Sequence, residues 1–365
     1  MIFNLQLFVI LLVNHLTMNI RPIEKSKLST VDFEDLDFGS TFSDHMFVCD
    51  YANGSWREPE IVPYAPLQLD PSASALHYGQ AIFEGMKAYK DDKGDVFLFR
   101  PDQNIKRLNK SAERLAIPQF PEKLFIEGLH KLIDLERDWV QPGTGNSLYV
   151  RPFVFASEPC VQASPAKQYR LLIICTPVSS YYNHSEVRVK IADQFSRAAQ
   201  GGTGYAKAAG NYAGQFYPTK LAMDEGYQQI IWTDAATHKY IEEAGTMNLF
   251  FYIGDKLITA PTSDSILDGV TRKSVIKLAK DRGIEVETRQ LTVSELIEAA
   301  ENKTLREIFG SGTAVVVLPI HGFGYKGKDY YVGTTTDALA LALKTDLTSI
   351  QYNLTHDPYG WRVKV

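Results

Sequence analysis

The sequence predicts an α/β protein, of mixed α/β or α+β type, in which two domains face each other across a cleft. Three observations carry that prediction. The chain has 365 residues, more than a compact small domain takes up. Segments with helical and with strand periodicity alternate along its length instead of forming separate blocks. A short polar stretch, Ser179 to Ser185, falls near the middle and suits an interdomain linker. The division that follows is an apolar leader at 1–17, a smaller domain at 18–180, a linker at 181–186 and a larger domain at 187–365.

Ile2 to Leu16 is nearly all apolar, like the hydrophobic region of a signal peptide. No Lys or Arg precedes it, no small-residue cleavage site follows, and it is short for a bilayer span. Met18 opens an ordinary soluble N-terminus, so the leader reads as non-functional and the protein as cytoplasmic, with export or membrane association as the alternative. Sequons such as Asn53-Gly54-Ser55 matter only under export. Pro71 and Ser72 lead into a predicted helix over Ala75 to Lys90, with Leu76, Gln80, Phe83 and Lys87 on one face and Gly79 and Gly85 weakening its interior. Val96 to Arg100 reads as a strand, and Pro101 opens a helix to about Leu115. Ile126, Leu129, Ile133 and Val140 mark a further amphipathic helix. Ser147 to Phe155 and Tyr169 to Pro177 read as strands. Beyond the linker, Glu186 to Ile191 alternates as a half-buried strand should. Tyr227 to Thr233, Leu249 to Ile253 and Lys256 to Thr259 follow as strands, the last two joined in a tight hairpin at Gly254-Asp255. A helix from Thr271 to Asp281 stops at Gly283, and another spans Ser294 to Asn302.

Charged residues make up 22% of the chain, hydrophobic ones 45%, and the net charge is −5. That balance gives no sign of a nucleic-acid surface, so the expected partners are small molecules, with neither nucleic acid nor membrane among them. Cys49, Cys160 and Cys175 are widely spaced and form no C-x-x-C, which fits reduced thiols in a reducing compartment. The eight histidines show no H-E-x-x-H or similar spacing, so no metal site is predicted and a metal hydrolase is disfavoured.

Chemistry concentrates in four segments. Gly201-Gly-Thr-Gly-Tyr-Ala-Lys207-Ala-Ala-Gly-Asn-Tyr212 sets one lysine among small residues. Gly-rich backbone can approach a flat ligand closely, and a desolvated lysine loses its proton readily and can form an imine. Alone, the segment reads more readily as a solvated turn. Glu242-Glu243-Ala-Gly-Thr-Met-Asn248 precedes an apolar strand, and a carboxylate beside a pyridine nitrogen keeps that nitrogen protonated. Asp268-Gly-Val-Thr271 opens a helix whose free N–H groups suit a phosphate, although Thr271 also reads as a plain N-cap. Phe309-Gly-Ser-Gly-Thr-Ala314 offers another nest of amides for anions.

In that order, Gly-x-x-Lys207-x-x-x-Asn-Tyr212, Glu243-x-Gly-Thr-Met-Asn248, Gly269-Val-Thr-Arg272 and Phe309-Gly-Ser-Gly-Thr-Ala314 resemble the branched-chain aminotransferases, fold-type IV pyridoxal-phosphate enzymes. Upstream, Phe38-Gly-Ser-Thr-Phe-Ser-Asp-His-Met46, Leu76-His-Tyr-Gly-Gln-Ala-Ile-Phe-Glu-Gly-Met-Lys87, Phe99-Arg-Pro101 and Ser147-Leu-Tyr-Val-Arg-Pro152 resemble small-domain motifs of the same family. The resemblance covers roughly Asp32 to Val365.

The resemblance implies pyridoxal 5'-phosphate in the cleft, with the larger domain binding it, and Lys207 as the catalytic residue carrying the Schiff base and moving the Cα proton. It implies Glu243 at the pyridine nitrogen, Tyr212 at the phenolic oxygen, and Arg100, Gly269, Val270, Thr271 and Thr313 around the phosphate, with Arg197 near the cofactor. The substrate carboxylate falls to Thr246 and the Ala314 amide. Phe38, Tyr78, Phe83, Tyr149 and Tyr181 match an aromatic pocket for a branched side chain, and tyrosine hydroxyls with Arg151 are the donors for the second carboxylate of 2-oxoglutarate. The implied reaction is ping-pong transamination between leucine, isoleucine or valine and 2-oxoglutarate, giving branched-chain 2-oxo acids and glutamate, by a homodimer that shares pocket residues across its interface. Where some family members carry C-x-x-C, this chain has Val315-Val-Val-Leu318, so no thiol switch is expected. The rivals are a D-amino acid aminotransferase or aminodeoxychorismate lyase of the same fold, and a binding protein without chemistry.

Overall fold

The computed structural model describes residues 18–179, 186–333 and 338–365. The proposed leader, most of the linker and Tyr181 lie outside these residues. A ten-stranded sheet organises the first half of the chain. Its order is Asn19–Ile20, Glu60–Pro63, His45–Ala52, Tyr169–Val178, Ser147–Ala156, Met86–Lys90, Val96–Phe99 and Arg362–Lys364, with two short strands paired off this path. The helices Pro101–Arg114 and Glu122–Leu135 cover it, burying Ile105, Leu108, Leu129 and Ile133 against Phe47, Leu98 and Val150. Pro101 stands at the first helical position, where its missing N–H costs nothing.

Two further sheets follow. A six-stranded one centres on Arg188–Ile191, which pairs in parallel with Gln229–Thr233 and Gly322–Tyr325. A five-stranded one centres on the Asn248–Ile253 and Lys256–Thr259 hairpin and the long strand Leu305–Gly312. Val187, Ile231, Leu249 and Phe323 pack in the core that these two sheets share. The helices Val270–Asp281 and Leu339–Gln351 lie in a separate core with Phe250 and Phe309, together with Tyr89 and Phe99 of the first sheet. The C-terminal strand crosses back to the first sheet, Arg362 opposite Phe99, so the chain's two halves are stitched at this seam.

One expectation fails outright. The predicted helix over Ala75 to Lys90 is only Ser74–Tyr78, ended by Gly79 in the left-handed region at φ 62°, and strands Ala81–Phe83 and Met86–Lys90 follow. Both strands pair with Ser147–Ala156. Residues 86–89 are buried on both faces, so they carry no alternation that could announce a strand, and their apolar spacing mimics a helix. The remaining predicted elements occur within a few residues of their expected bounds, and Thr292 caps Val293–Glu301 by accepting from the Glu295 N–H. All three cysteines are unpaired. Among the described residues, no helix is long and apolar enough to cross a membrane, and no three His, Cys, Asp or Glu side chains are grouped to hold a metal ion.

Candidate active site

Lys207 sits where the two halves meet. Its backbone N–H donates to Ser111 Oγ at 2.9 Å and its carbonyl accepts from the Phe83 N–H at 3.0 Å, so helix 101–114 and strand 81–83 clamp it from both sides. The glycines before it are needed for packing: a Cβ on Gly204 would come within 2.5 Å of Ala198 and of the Ser265 backbone. The short helix Ala209–Ala213 then aims Tyr212 back, and Lys207 Nζ donates to its hydroxyl at 2.8 Å.

Glu243 approaches from the strand Tyr240–Ala244 and is buried. Arg197 lies 2.8 Å from its Oε1, while Asn248 Nδ2 and the Leu267 N–H donate to Oε2 at 3.0 and 3.2 Å. Burial nevertheless pushes its carboxyl up to about 7, outweighing the pull of Arg197, the Leu267 N–H and Lys207. Glu242 points the other way along the strand and hydrogen-bonds Ser265.

The helix 270–281 presents its N-terminus to the same cavity. Gly269 precedes it with no side-chain cap and no acidic residue in the first turn, so the N–H groups of Val270 and Thr271 are open to an anion. A Cβ on Gly269 would fall 2.0 Å from Asn248 Oδ1, which requires glycine here. Thr313 closes the opposite rim, its hydroxyl donating to the Gly85 carbonyl at 3.0 Å. The cavity has about 450 Å³ of empty volume, partly open to solvent, and Lys207, Tyr212, Glu243, Arg197, Thr246 and Thr271 are among its walls.

Arg100 is not among those walls. Its guanidinium donates to Ser274 Oγ at 2.8 Å, one turn inside the helix, and lies 5.0 Å from the Trp361 ring. Arg107 takes the place expected of it, lining the cavity. Its Nε and Nη2 grip Glu84 at 2.7 and 2.8 Å, and Nη1 donates to the Asp268 carbonyl at 3.1 Å. Of five N–H donors this leaves one on each terminal nitrogen for a ligand. Burial pushes the Glu84 carboxyl up, but Arg107 more than offsets it and holds it below the ordinary carboxylate value. A signal for Arg107 was present in the sequence: Asn104, Arg107 and Ser111 form a polar stripe at i, i+3 and i+7 on an otherwise apolar helix face, and all three are buried.

From Lys207 a run of aromatic and cationic contacts leads outward. Lys207 Nζ lies 4.8 Å from the Phe83 ring, Phe83 stands 4.8 Å from Tyr212, and the Arg151 guanidinium lies over both Phe83 and Tyr149 at 4.7 and 5.2 Å. Arg151 also donates to the Tyr149 hydroxyl at 3.1 Å, and Phe38 meets Tyr149 edge-on at 5.2 Å. Tyr78 stands apart: it is 47% exposed and its hydroxyl bonds the Val161 carbonyl. Ala314 follows the Thr313 rim, and its carbonyl accepts from Lys87 Nζ at 2.9 Å.

The arrangement offers an imine-forming amine, a buried carboxylate and an anion cradle around one cavity, with an aromatic wall beside it. Residues 81–323 match the family of class IV aminotransferases, enzymes that depend on pyridoxal phosphate. The chain is 46% identical over 339 residues to branched-chain-amino-acid transaminase 1 of Bacillus subtilis, spanning 92% of this chain and 95% of that one. It is 41% identical to the branched-chain-amino-acid aminotransferase of Mycolicibacterium smegmatis, over 90% and 92% of the two chains. Among solved structures, the branched-chain amino acid aminotransferase of Escherichia coli superposes with a TM-score of 0.70 at 27% identity, covering 88% of this chain and 98% of that one. The T.th. branched-chain enzyme complexed with N-(5'-phosphopyridoxyl)-L-glutamate does so at 0.69 and 25%, covering 86% and 97%. The fold is therefore fold-type IV, and the chain belongs to the class IV aminotransferases, in the family of the branched-chain-amino-acid transaminases.

Proposed function

We infer that this protein transfers the amino group of leucine, isoleucine or valine to 2-oxoglutarate in two half-reactions, with pyridoxal 5'-phosphate as cofactor. The observation that carries the reading is the convergence of Lys207, Tyr212, Glu243 and the open first turn of helix 270–281 on one cavity. The donor set fits the cofactor: Glu243 is a buried carboxylate whose charge still lacks full compensation, and the helix start carries free N–H groups with no anion of its own. When bound, the cofactor supplies an electron sink for the negative charge left at the substrate Cα. Gly269, Val270, Thr271, Thr313 and Arg107 are the groups suited to its phosphate, with Arg100 steadying the helix through Ser274.

Lys207 Nζ, held by the Tyr212 hydroxyl, removes the Cα proton and returns one on the other side of the reaction. Glu243 keeps a proton on the ring nitrogen, and Arg197 holds Glu243 in place. Thr246 and the Ala314 amide take the substrate carboxylate. Phe38, Phe83 and Tyr149 bury a branched aliphatic group, at roughly 0.8 kcal/mol per methylene, while Arg151 and the Tyr149 hydroxyl receive the second carboxylate of 2-oxoglutarate. Exposed Tyr78, with Leu76 and Val161 likewise exposed, supports a homodimer in which Tyr78 reaches the partner's pocket. A cytoplasmic location belongs to the same reading.

Purified protein is assayed with L-leucine and 2-oxoglutarate for glutamate formation, and with D-alanine and aminodeoxychorismate in parallel. Leucine is expected to be the preferred donor, with a visible absorbance from the bound cofactor. Turnover of D-alanine or aminodeoxychorismate in place of leucine would overturn the reading.

A further inference from the structure

A second cavity lies behind the turn that carries Thr313 and Ala314. It has about 660 Å³ of empty volume, with Lys87, Lys344 and Thr348 among its polar walls and Tyr89, Val316 and Leu318 among its apolar ones. Among the described residues no Asp or Glu lines it. Lys87 is only 6% exposed and, among the described residues, its single hydrogen-bond partner is the Ala314 carbonyl, so two of its three N–H donors have no acceptor there. An ammonium buried without a counter-charge is costly, and proteins ordinarily pair it or neutralise it. Here burial first, and then the nearby Lys344, pushes Lys87 down to about 8.

The backbone adds an independent sign. Val316 sits at φ 61°, a left-handed conformation that a β-branched residue rarely adopts. Such strain persists where surrounding contacts enforce it, and it clusters at sites whose conformation is adjustable. Lys87, Val316 and Ala314 therefore form one unit, with an uncompensated charge on one side of the turn and the substrate carboxylate subsite on the other.

We propose that this second cavity binds a small monocarboxylate with an apolar body, held between Lys87 and Lys344, and that its occupancy steadies the Thr313–Ala314 turn. Two neighbouring ammonium groups match the two oxygens of one carboxylate, and Tyr89, Val316 and Leu318 give an apolar body a surface that inorganic phosphate would leave wet. The anion compensates Lys87, strengthens its bond to the Ala314 carbonyl, and so favours the turn in which the Ala314 amide receives substrate. The effect on substrate rests on the proposed function; the binding itself does not.

The test titrates the cofactor-loaded enzyme with benzoate by calorimetry and measures leucine kinetics in parallel. Wild type is expected to bind benzoate at a site that Lys344→Met weakens by about tenfold and Lys344→Arg preserves. Saturating benzoate is expected to lower the KM for leucine about threefold, to a plateau, in wild type and not in Lys344→Met. A KM that rises without a plateau means competition at the active site and overturns the proposal. So does equal binding by wild type and Lys344→Met, or inorganic phosphate matching benzoate in affinity. If leucine is not a substrate at all, the functional reading falls while the calorimetry still decides the cavity.

Discussion

Glu243 is most of the way into the protein before anything has neutralised it. Its three donors satisfy its oxygens geometrically, yet burial still holds its carboxyl near 7, so a cation placed against it is what makes it fully ionised at neutral pH. In the proposed reading, a pyridine ring nitrogen and Glu243 stabilise each other's charge. Glu243→Gln keeps the shape but puts an NH2 donor where one accepting oxygen was, and it cannot hold a proton on the ring. It is expected to retain cofactor, as read by visible absorbance, and to lose at least about a hundredfold in kcat with leucine. Near-normal turnover would remove Glu243 from that role. Arg197, 2% exposed on its side chain, loses its counter-charge in this variant, so cofactor retention is measured before kcat is compared.

At the scale of elements, helix 101–114 does more for the site than its sequence suggested. Asn104 and Arg107 fix Glu84, and Ser111 holds the backbone of Lys207, so one helix face ties together the anion cradle and the amine. Helix 270–281 supplies the complementary end, and its start depends on Gly269 packing against Asn248. Gly269→Ala puts a Cβ 2.0 Å from Asn248 Oδ1, and the first turn must move to relieve it. The expected outcome is cofactor affinity reduced by about tenfold or more, measured by dialysis and reconstitution, since displacements near 1 Å degrade bound geometry strongly. Unchanged affinity would mean that the first turn is not the anion site.

These elements also mark what a sequence can announce. Pro101 and the 3.6-residue spacing of Ile105, Leu108 and Ala112 identify their helix without help, and Gly254-Asp255 identifies its hairpin. Met86–Lys90 could not be read, because a strand covered on both faces loses its period of two. The choice between Arg100 and Arg107 was closed to motif reading, and only the polar stripe of Asn104, Arg107 and Ser111 pointed to the latter. Both are arginines of one segment, and only the rotation of the helix decides that Arg107 faces the cavity while Arg100, at φ 50°, turns toward Ser274 and Trp361.

At the scale of the whole molecule, the segment from Tyr359 to Val365 is a structural member. Trp361 packs on Phe99 at 5.8 Å, stacks on Tyr359 at 4.2 Å and offers its carbonyl to the Arg100 N–H at 2.8 Å. Removing residues 361–365 strips that ring, frees the edge of Val96–Phe99 and loosens Arg100. A loss on the order of 3–5 kcal/mol is expected, a fall in Tm of roughly 5 °C by calorimetry. An unchanged Tm would show the tail to be ornamental. The same seam governs how the protein comes into being. The strand Val96–Phe99 is made early, and its outer partner Arg362–Lys364 is made only after the whole described second half of the chain. Until then the nascent first half displays an open, apolar strand edge, the feature by which unrelated chains recruit one another into aggregates. The sheet closes only when Arg362–Lys364 has been made, and chains stopped short of that strand are the ones most in need of a chaperone.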